Sequence, residues 1–143
     1  MSTLARAIEI AVAAHAGQTD KAGAPYILHP LRVMLALEDE EDRIVGVLHD
    51  VIEDCPEWTP KRLRGEGFSD SVLVALQHVT KLSEDEDYGA FIARAAGNPI
   101  ARRVKRADLM DNLDVRRLSV VTEKDGKRLT KYLAALAQLD AAD

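Results

Sequence analysis

The chain has 143 residues, close to the modal size of one domain. Hydrophobic residues make up 47%, charged residues 30% and aromatics 4%, so the core rests on Ala, Val, Leu and Ile, a set that suits closely packed helices. The net charge of −5 argues against a nucleic-acid polymer as partner. Cys55 is the only cysteine; it excludes an internal disulfide and fits a reducing, cytoplasmic compartment. No apolar run approaches the ~20 residues that span a bilayer, and Glu9 breaks the N-terminal apolar stretch too early for a signal peptide.

Helical spacing dominates in chain order. Ser2 or Thr3 caps a first helix with Leu4, Ile8, Val12 and His15 on one face, ended by Gly17. A loop follows, then Pro30 in the first turn of a second helix ending near Leu37. The acidic run 38–42 opens a third helix, where negative charge suits the N-terminal dipole. Its apolar face uses Ile44, Val45, Leu48 and Ile52, and Pro56 stops it around Asp54. Thr59-Pro60 starts a short fourth helix ended by Gly65 or Gly67, covered by Trp58. Ser69 caps a fifth with Val72, Ala75, Leu76 and Val79 inward. Helices near Asp87–Ala96 and over Pro99–Asn112 come next, and a last one over Lys127–Asp140 carries Leu129, Tyr132, Leu133, Leu136 and Leu139. No stretch alternates as a strand does, and no linker splits the chain. The expectation is one all-α domain.

Three anomalies carry chemistry. His49 follows the core spacing of Val45 and Ile52, so an imidazole faces inward beside Asp50, Glu53 and Asp54 at the end of its helix. Carboxylates there oppose the helix dipole. Asp108 follows Ile100 and Val104 at intervals of four, which places a carboxylate on an apolar stripe. A buried carboxylate must be paired or bind a metal; Arg102, Arg103, Lys105 and Arg106 are close in sequence but off that stripe. His29 stands directly before Pro30. Together His29, His49, Asp50 and Asp108 offer two imidazoles and two carboxylates, a set that suits Mn, Fe, Co or Zn.

The residues around these positions resemble the HD-domain hydrolases of the RelA/SpoT type. The matching stretches are Ala14–Gln18 (AHAGQ), Gly23–Pro30 (GAPYILHP), Leu48–Asp54 (LHDVIED), Val79–Lys81 (VTK) and Val104–Asp108 (VKRAD) with Asn112. The resemblance runs from about Leu4 to Leu139 and is nearest the stand-alone small alarmone hydrolases, the metazoan SpoT homologue-like proteins. It implies a single HD-domain helical bundle over residues 1–143 holding one divalent metal, commonly Mn²⁺, on His29, His49, Asp50 and Asp108. Glu53 and Asp54 match the acidic pair that handles the attacking water. Lys21 and Asn112 match substrate-contacting residues. The implied reaction removes the 3′-pyrophosphate of (p)ppGpp, a small-molecule nucleotide, and 143 residues leave no room for a synthetase domain.

The chain departs from the family pattern at Asp20, Ala22, Leu109 and Asp114. Three of these, Asp20, Leu109 and Asp114, replace cations, which predicts weaker use of (p)ppGpp than in a typical member. Two other readings stay open: hydrolysis of a different nucleotide or phosphate ester, and a non-catalytic module that binds metal or nucleotide. The Glu53–Asp54 pair speaks against the last, because a binder has no use for a base beside a metal. Elsewhere, His15 reads as a core histidine, His78 as surface, Cys55 as a small helix-end residue, Arg102–Arg106 as a solvated face, and Tyr88 and Tyr132 as packing residues.

Overall fold

A computed structural model describes residues 2–142, so the two end residues of the expected domain lie outside it. The elements are α1 (Leu4–Ala14), α2 (Leu28–Leu35), α3 (Glu40–Leu48), α4 (Val51–Asp54), α5 (Pro60–Gly65), α6 (Asp70–Val79), α7 (Tyr88–Ala96), α8 (Pro99–Asn112), a 3-10 turn (Val115–Arg117) and α9 (Glu123–Asp140). The fold is all-α, with an isolated bridge between Thr19 and Pro25 as the β-type pairing among the described residues. No helix among them is long and apolar enough to cross a membrane.

Helix starts follow local chemistry. The Thr3, Thr59, Ser69, Asp87 and Asn98 side chains each accept a backbone amide of the first turn they cap, satisfying donors the helix cannot. α9 begins four residues earlier than the periodicity predicts. A reciprocal capping box between Thr122 and Asp125 nucleates it ahead of the apolar stripe.

α3 is the central element and packs against α1, α2, α6 and α8. Ile44 to Leu48 are all buried. Gly46 lets α3 pack closely on the end of α2: a Cβ there would meet Leu37 Cδ1 at 2.9 Å and push that side chain aside. Asp42 is also buried, clamped by Arg103 of α8 through bonds of 2.6 and 3.0 Å. A second, smaller core of Ile92, Leu109, Ala135 and Leu139 joins α7, α8 and α9.

Several expectations need correction. The third helix does not run to Asp54; it turns at His49–Asp50 and restarts as α4. His49 Nδ1 bonds the Gly46 carbonyl at 2.6 Å, an acceptor that a continuing helix gives to the amide four residues on. On α1, Val12 is 50% exposed while Ala7, Ile10 and Ala11 are buried. Steps of four drift about 40° each around a helix, so the stripe from Leu4 through Ile8 leaves the core by Val12. The same drift leaves Leu133 of α9 exposed and Ala135 inside. His78 is half-buried, with Nδ1 on the Arg94 carbonyl. In the Arg102–Arg106 run Arg103 and Arg106 are exposed, as a solvated face requires, and pair with Asp42 and Asp140; Lys105 departs from it, largely buried against Asp108. Trp58 does cover α5, with the Arg62 guanidinium over its ring.

Candidate metal centre

Three segments distant in sequence deliver the predicted set. The loop before α2 is folded by Asp20, whose Oδ1 accepts the Ala22 and Ala24 amides, and by the Thr19–Pro25 bridge. This turn places His29 in the first turn of α2. His49 and Asp50 sit at the break between α3 and α4, and Asp108 lies in the last turn of α8. One atom each of His29, His49 and Asp50 lies within 4.8 Å of the others. Asp108 Oδ1 approaches His29 Nε2 at 2.9 Å and His49 Nε2 at 3.3 Å. All four predicted residues therefore meet, and His29, His49 and Asp108 are buried.

The orientation of the two imidazoles tests whether a cation fits. His49 Nδ1 is engaged by the Gly46 carbonyl, so that nitrogen carries the proton in the neutral ring. Its Nε2 is buried without a hydrogen-bond partner and points at Asp50 Oδ2, 3.1 Å away, and Asp108 Oδ1. His29 is held in the same way through Nδ1, which meets Asp111 Oδ2 at 2.6 Å, while its Nε2 hydrogen-bonds Asp108 Oδ1 at 2.9 Å and lies 3.8 Å from Asp50 Oδ2. In both neutral rings a lone pair faces carboxylate oxygens. That arrangement is repulsive without a positive charge between the groups, and it is how metal-binding histidines are held. The residues fit a divalent metal.

Without a metal, protons carry that charge. Burial disfavours the His49 cation, but Asp50 and Asp108 outweigh it and hold its pKa well above the ordinary histidine value. His29 is raised as well: burial opposes the charge, and the bonds to Asp108 and Asp111 override it. Asp108 is held well below the usual carboxylate range against its burial, chiefly by Lys105 and then by the two histidines. Lys105 Nζ lies 2.8 Å from Asp108 Oδ2. Lys105 thus reaches Asp108 although it lies off the Ile100–Val104 stripe, since positions three apart share a helix face.

Glu53 and Asp54 stand on α4 at the rim. Glu53 Oε1 accepts the Lys81 amide at 2.7 Å, and Asp54 Oδ2 is 3.8 Å from His15 Nδ1. Desolvation raises both carboxyls above their ordinary values, and the Asp50 charge adds to it. His15 is buried as expected. Cys55 donates to the Ala14 carbonyl through Sγ, and desolvation raises its thiol, which disfavours the nucleophilic thiolate.

Beside the cluster lies a cleft of about 370 Å³ that includes Lys21, Tyr26, His29, Arg32, Asn112, Arg117, Arg128 and Tyr132 in its walls. Lys21 and Asn112 both stand in its walls, and Asn112 also donates to Asp108 Oδ1 at 3.3 Å. Leu109 is fully buried in the second core, so a cation there would not reach the cleft. Asp20 and Asp114 do line the cleft, Asp20 bonded to the amides of its own loop and Asp114 to Arg116. Arg32, Arg117 and Arg128 are cations of the same walls, Arg32 and Arg117 paired with Asp111 and Arg128 with Asp125.

Sequence reasoning missed Asp111, Tyr26, Arg117 and Arg128. Asp111 was detectable, one turn beyond Asp108 on the same helix face. Tyr26, whose hydroxyl donates to Asp50 Oδ2, and the two arginines had no local signal, because the fold brings them in.

The HD domain family matches residues 7–122. The chain belongs to the HD domain family. Among curated proteins, this HD domain is 34% identical over 137 residues to a guanosine-3′,5′-bis(diphosphate) 3′-pyrophosphohydrolase of Aquifex aeolicus, covering 88% of this chain and 19% of that one. It is 32% identical over 146 residues to a GTP pyrophosphokinase of Streptomyces coelicolor, covering 94% and 17%. It is 40% identical over 79 residues to a guanosine-3′,5′-bis(diphosphate) 3′-pyrophosphohydrolase of Haemophilus influenzae, covering 52% and 11%. The HD domain thus spans less than a fifth of the length of these relatives.

Proposed function

We propose that the chain is a metal-dependent phosphohydrolase that removes the 3′-pyrophosphate of a (p)ppGpp-like alarmone, acting in the cytoplasm as one domain over residues 1–143. One observation carries this reading: two imidazoles, each anchored through Nδ1, turn Nε2 toward Asp50 and Asp108 beside a cation-lined cleft. His29, His49, Asp50 and Asp108 are the proposed ligands, and Mn²⁺ the proposed ion, as in the small alarmone hydrolases that the sequence resembles. The ion would polarise a phosphoryl oxygen and lower the pKa of the attacking water. Two aspartates would cancel its charge.

The chain's own residues do the rest. Glu53, assisted by Asp54, takes the proton from the water; raised carboxyl pKa values favour that role. Lys21, Arg32, Arg117 and Arg128 offset the phosphate charge, Asn112 orients the nucleotide, and Tyr26 and Tyr132 flank it. Asp20 and Asp114 in the cleft wall favour a second reading, a phosphorylated substrate with less charge.

The deciding experiment measures pyrophosphate and phosphate release from ppGpp, GDP, a nucleoside monophosphate and a simple phosphate ester with added Mn²⁺. Pyrophosphate from ppGpp is the expected result. Preference for a less charged nucleotide selects the second reading. No release from metal-saturated protein overturns both.

A further inference from the structure

The Asp111 carboxylate is shared between the metal centre and the cleft. Its Oδ2 meets His29 Nδ1 at 2.6 Å and Arg32 at 3.1 Å. Its Oδ1 accepts Arg32 Nε at 2.7 Å, with Arg117 Nη1 at 3.5 Å. The side chain is only 10% exposed, whereas those of Arg32 and Arg117 are 34% and 30% exposed and line the cleft. Asp111 touches neither His49 nor Asp50 in this arrangement; its reach into the centre is through the His29 ring.

We propose that Asp111 is a positioning residue: it fixes the His29 ring with Nε2 facing Asp50 and Asp108, and Arg32 and Arg117 hold Asp111 in place. This rests on the metal-centre reading above. The chemistry is direct. An imidazole can turn over and exchange its nitrogens unless one is held by a strong acceptor. A carboxylate on Nδ1–H selects the tautomer whose Nε2 lone pair is free for a metal and makes that nitrogen more basic. A third acid so close to Asp108 would be repelled unless neutralised, and the Arg32 fork supplies that neutralisation with fixed geometry. Released from the arginines, Asp111 would lose the geometry that anchors the ring. The cleft and the metal centre therefore have a part in common: Arg32 serves both.

The test uses the whole chain, wild type beside Asp111→Ala and Asp111→Asn. Mn²⁺ affinity is measured by titration and by the free-ion EPR signal. The His29 ring is followed by ¹⁵N NMR in the metal-free and Zn²⁺-loaded states. Asp111→Ala is expected to weaken Mn²⁺ binding about 10- to 100-fold, the range for groups that orient metal-binding histidines, and to abolish the protected Nδ1–H resonance of His29. Asp111→Asn keeps the volume and one acceptor, so it should retain the resonance and lose less affinity. Arg32→Met should weaken Mn²⁺ binding too, although the bonds of Arg32 go to Asp111 and not to a proposed ligand. Wild-type affinity with an unchanged His29 resonance in Asp111→Ala overturns the proposal. If the wild-type protein takes up no Mn²⁺, the metal reading falls, while loss or retention of the resonance in the metal-free protein still decides the role of Asp111. Should Asp111→Ala fail to fold, a wild-type resonance and affinity in Arg32→Met overturn it.

Discussion

Glu53 and Asp108 are both acidic, yet their surroundings assign them opposite parts. Asp108 is buried and faces two imidazoles; Glu53 is on the rim with its carboxylate on the Lys81 amide. Asp108→Ala should therefore abolish metal uptake, measured by elemental analysis after dialysis against Mn²⁺. Glu53→Gln should keep both fold and metal and lose roughly 10²-fold or more in turnover, the scale of general-base removal. A wild-type rate in Glu53→Gln on a confirmed substrate would shift the base to Asp54. At this scale the sequence was informative where a residue type contradicted its position. His49 and Asp108 on apolar stripes were readable as anomalies, and they do converge. Leu109 was misread because alignment with a family position says nothing about direction. One step along α8 from Asp108 turns a side chain by about 100°, out of the centre and into the core of Ile92, Ala135 and Leu139.

Among the elements, α8 was legible to its ends because Asn98, Pro99 and the stripe through Val104 agree. The break between α3 and α4 was not: there the His49 ring bonds back to Gly46, a contact that periodicity does not encode. The start of α9 was missed for a similar reason: its capping box lies ahead of the apolar residues. That box gives a pH signature. The Asp125 carboxyl is depressed to about 2 by the Thr122 amide first, then the Thr122 hydroxyl and Arg128. An unfolded aspartate titrates near ~3.9. A depressed folded pKa means the stabilisation is full above the unfolded value and is lost as pH falls toward the folded one. Asp125→Asn should thus lower Tm at pH 7, and the gap to wild type should close as pH drops from about 5 to about 2. An equal gap at both ends, followed by circular dichroism, would show that the charge of Asp125 does nothing for α9.

For the whole molecule, the proposed ligands come from α2, the α3–α4 break and α8, so an ion held there ties together segments far apart in sequence. An ion that binds only the folded chain stabilises it by about 2.7 kcal/mol at a hundredfold excess over Kd. For a chain of this size that is a rise in Tm of about 9 °C. Chelator-treated protein titrated with Mn²⁺ should show the rise, and Asp108→Ala should show none. An equal rise in both would mean that the ion binds elsewhere. The all-α architecture was legible because few aromatics, helical spacing and well-marked caps point the same way. The cleft was not legible, because its walls come from four parts of the chain.

Those walls do not share one foundation. Tyr26, His29 and Arg32 belong to the side built on the large core under α3, while Arg128 and Tyr132 are carried by α9, whose buried anchors are Ala135 and Leu139. A helix held by so small a cluster opens at lower free energy than one at the centre of the fold. Breathing of α9 would then admit and release a nucleotide while the histidines stay in register. In hydrogen–deuterium exchange the amides of α9 should exchange by local opening well before those of α3, and a bound nucleotide should slow the first set and leave the second unchanged. Exchange of both helices at one common slow rate would mean that the cleft opens only when the whole chain does.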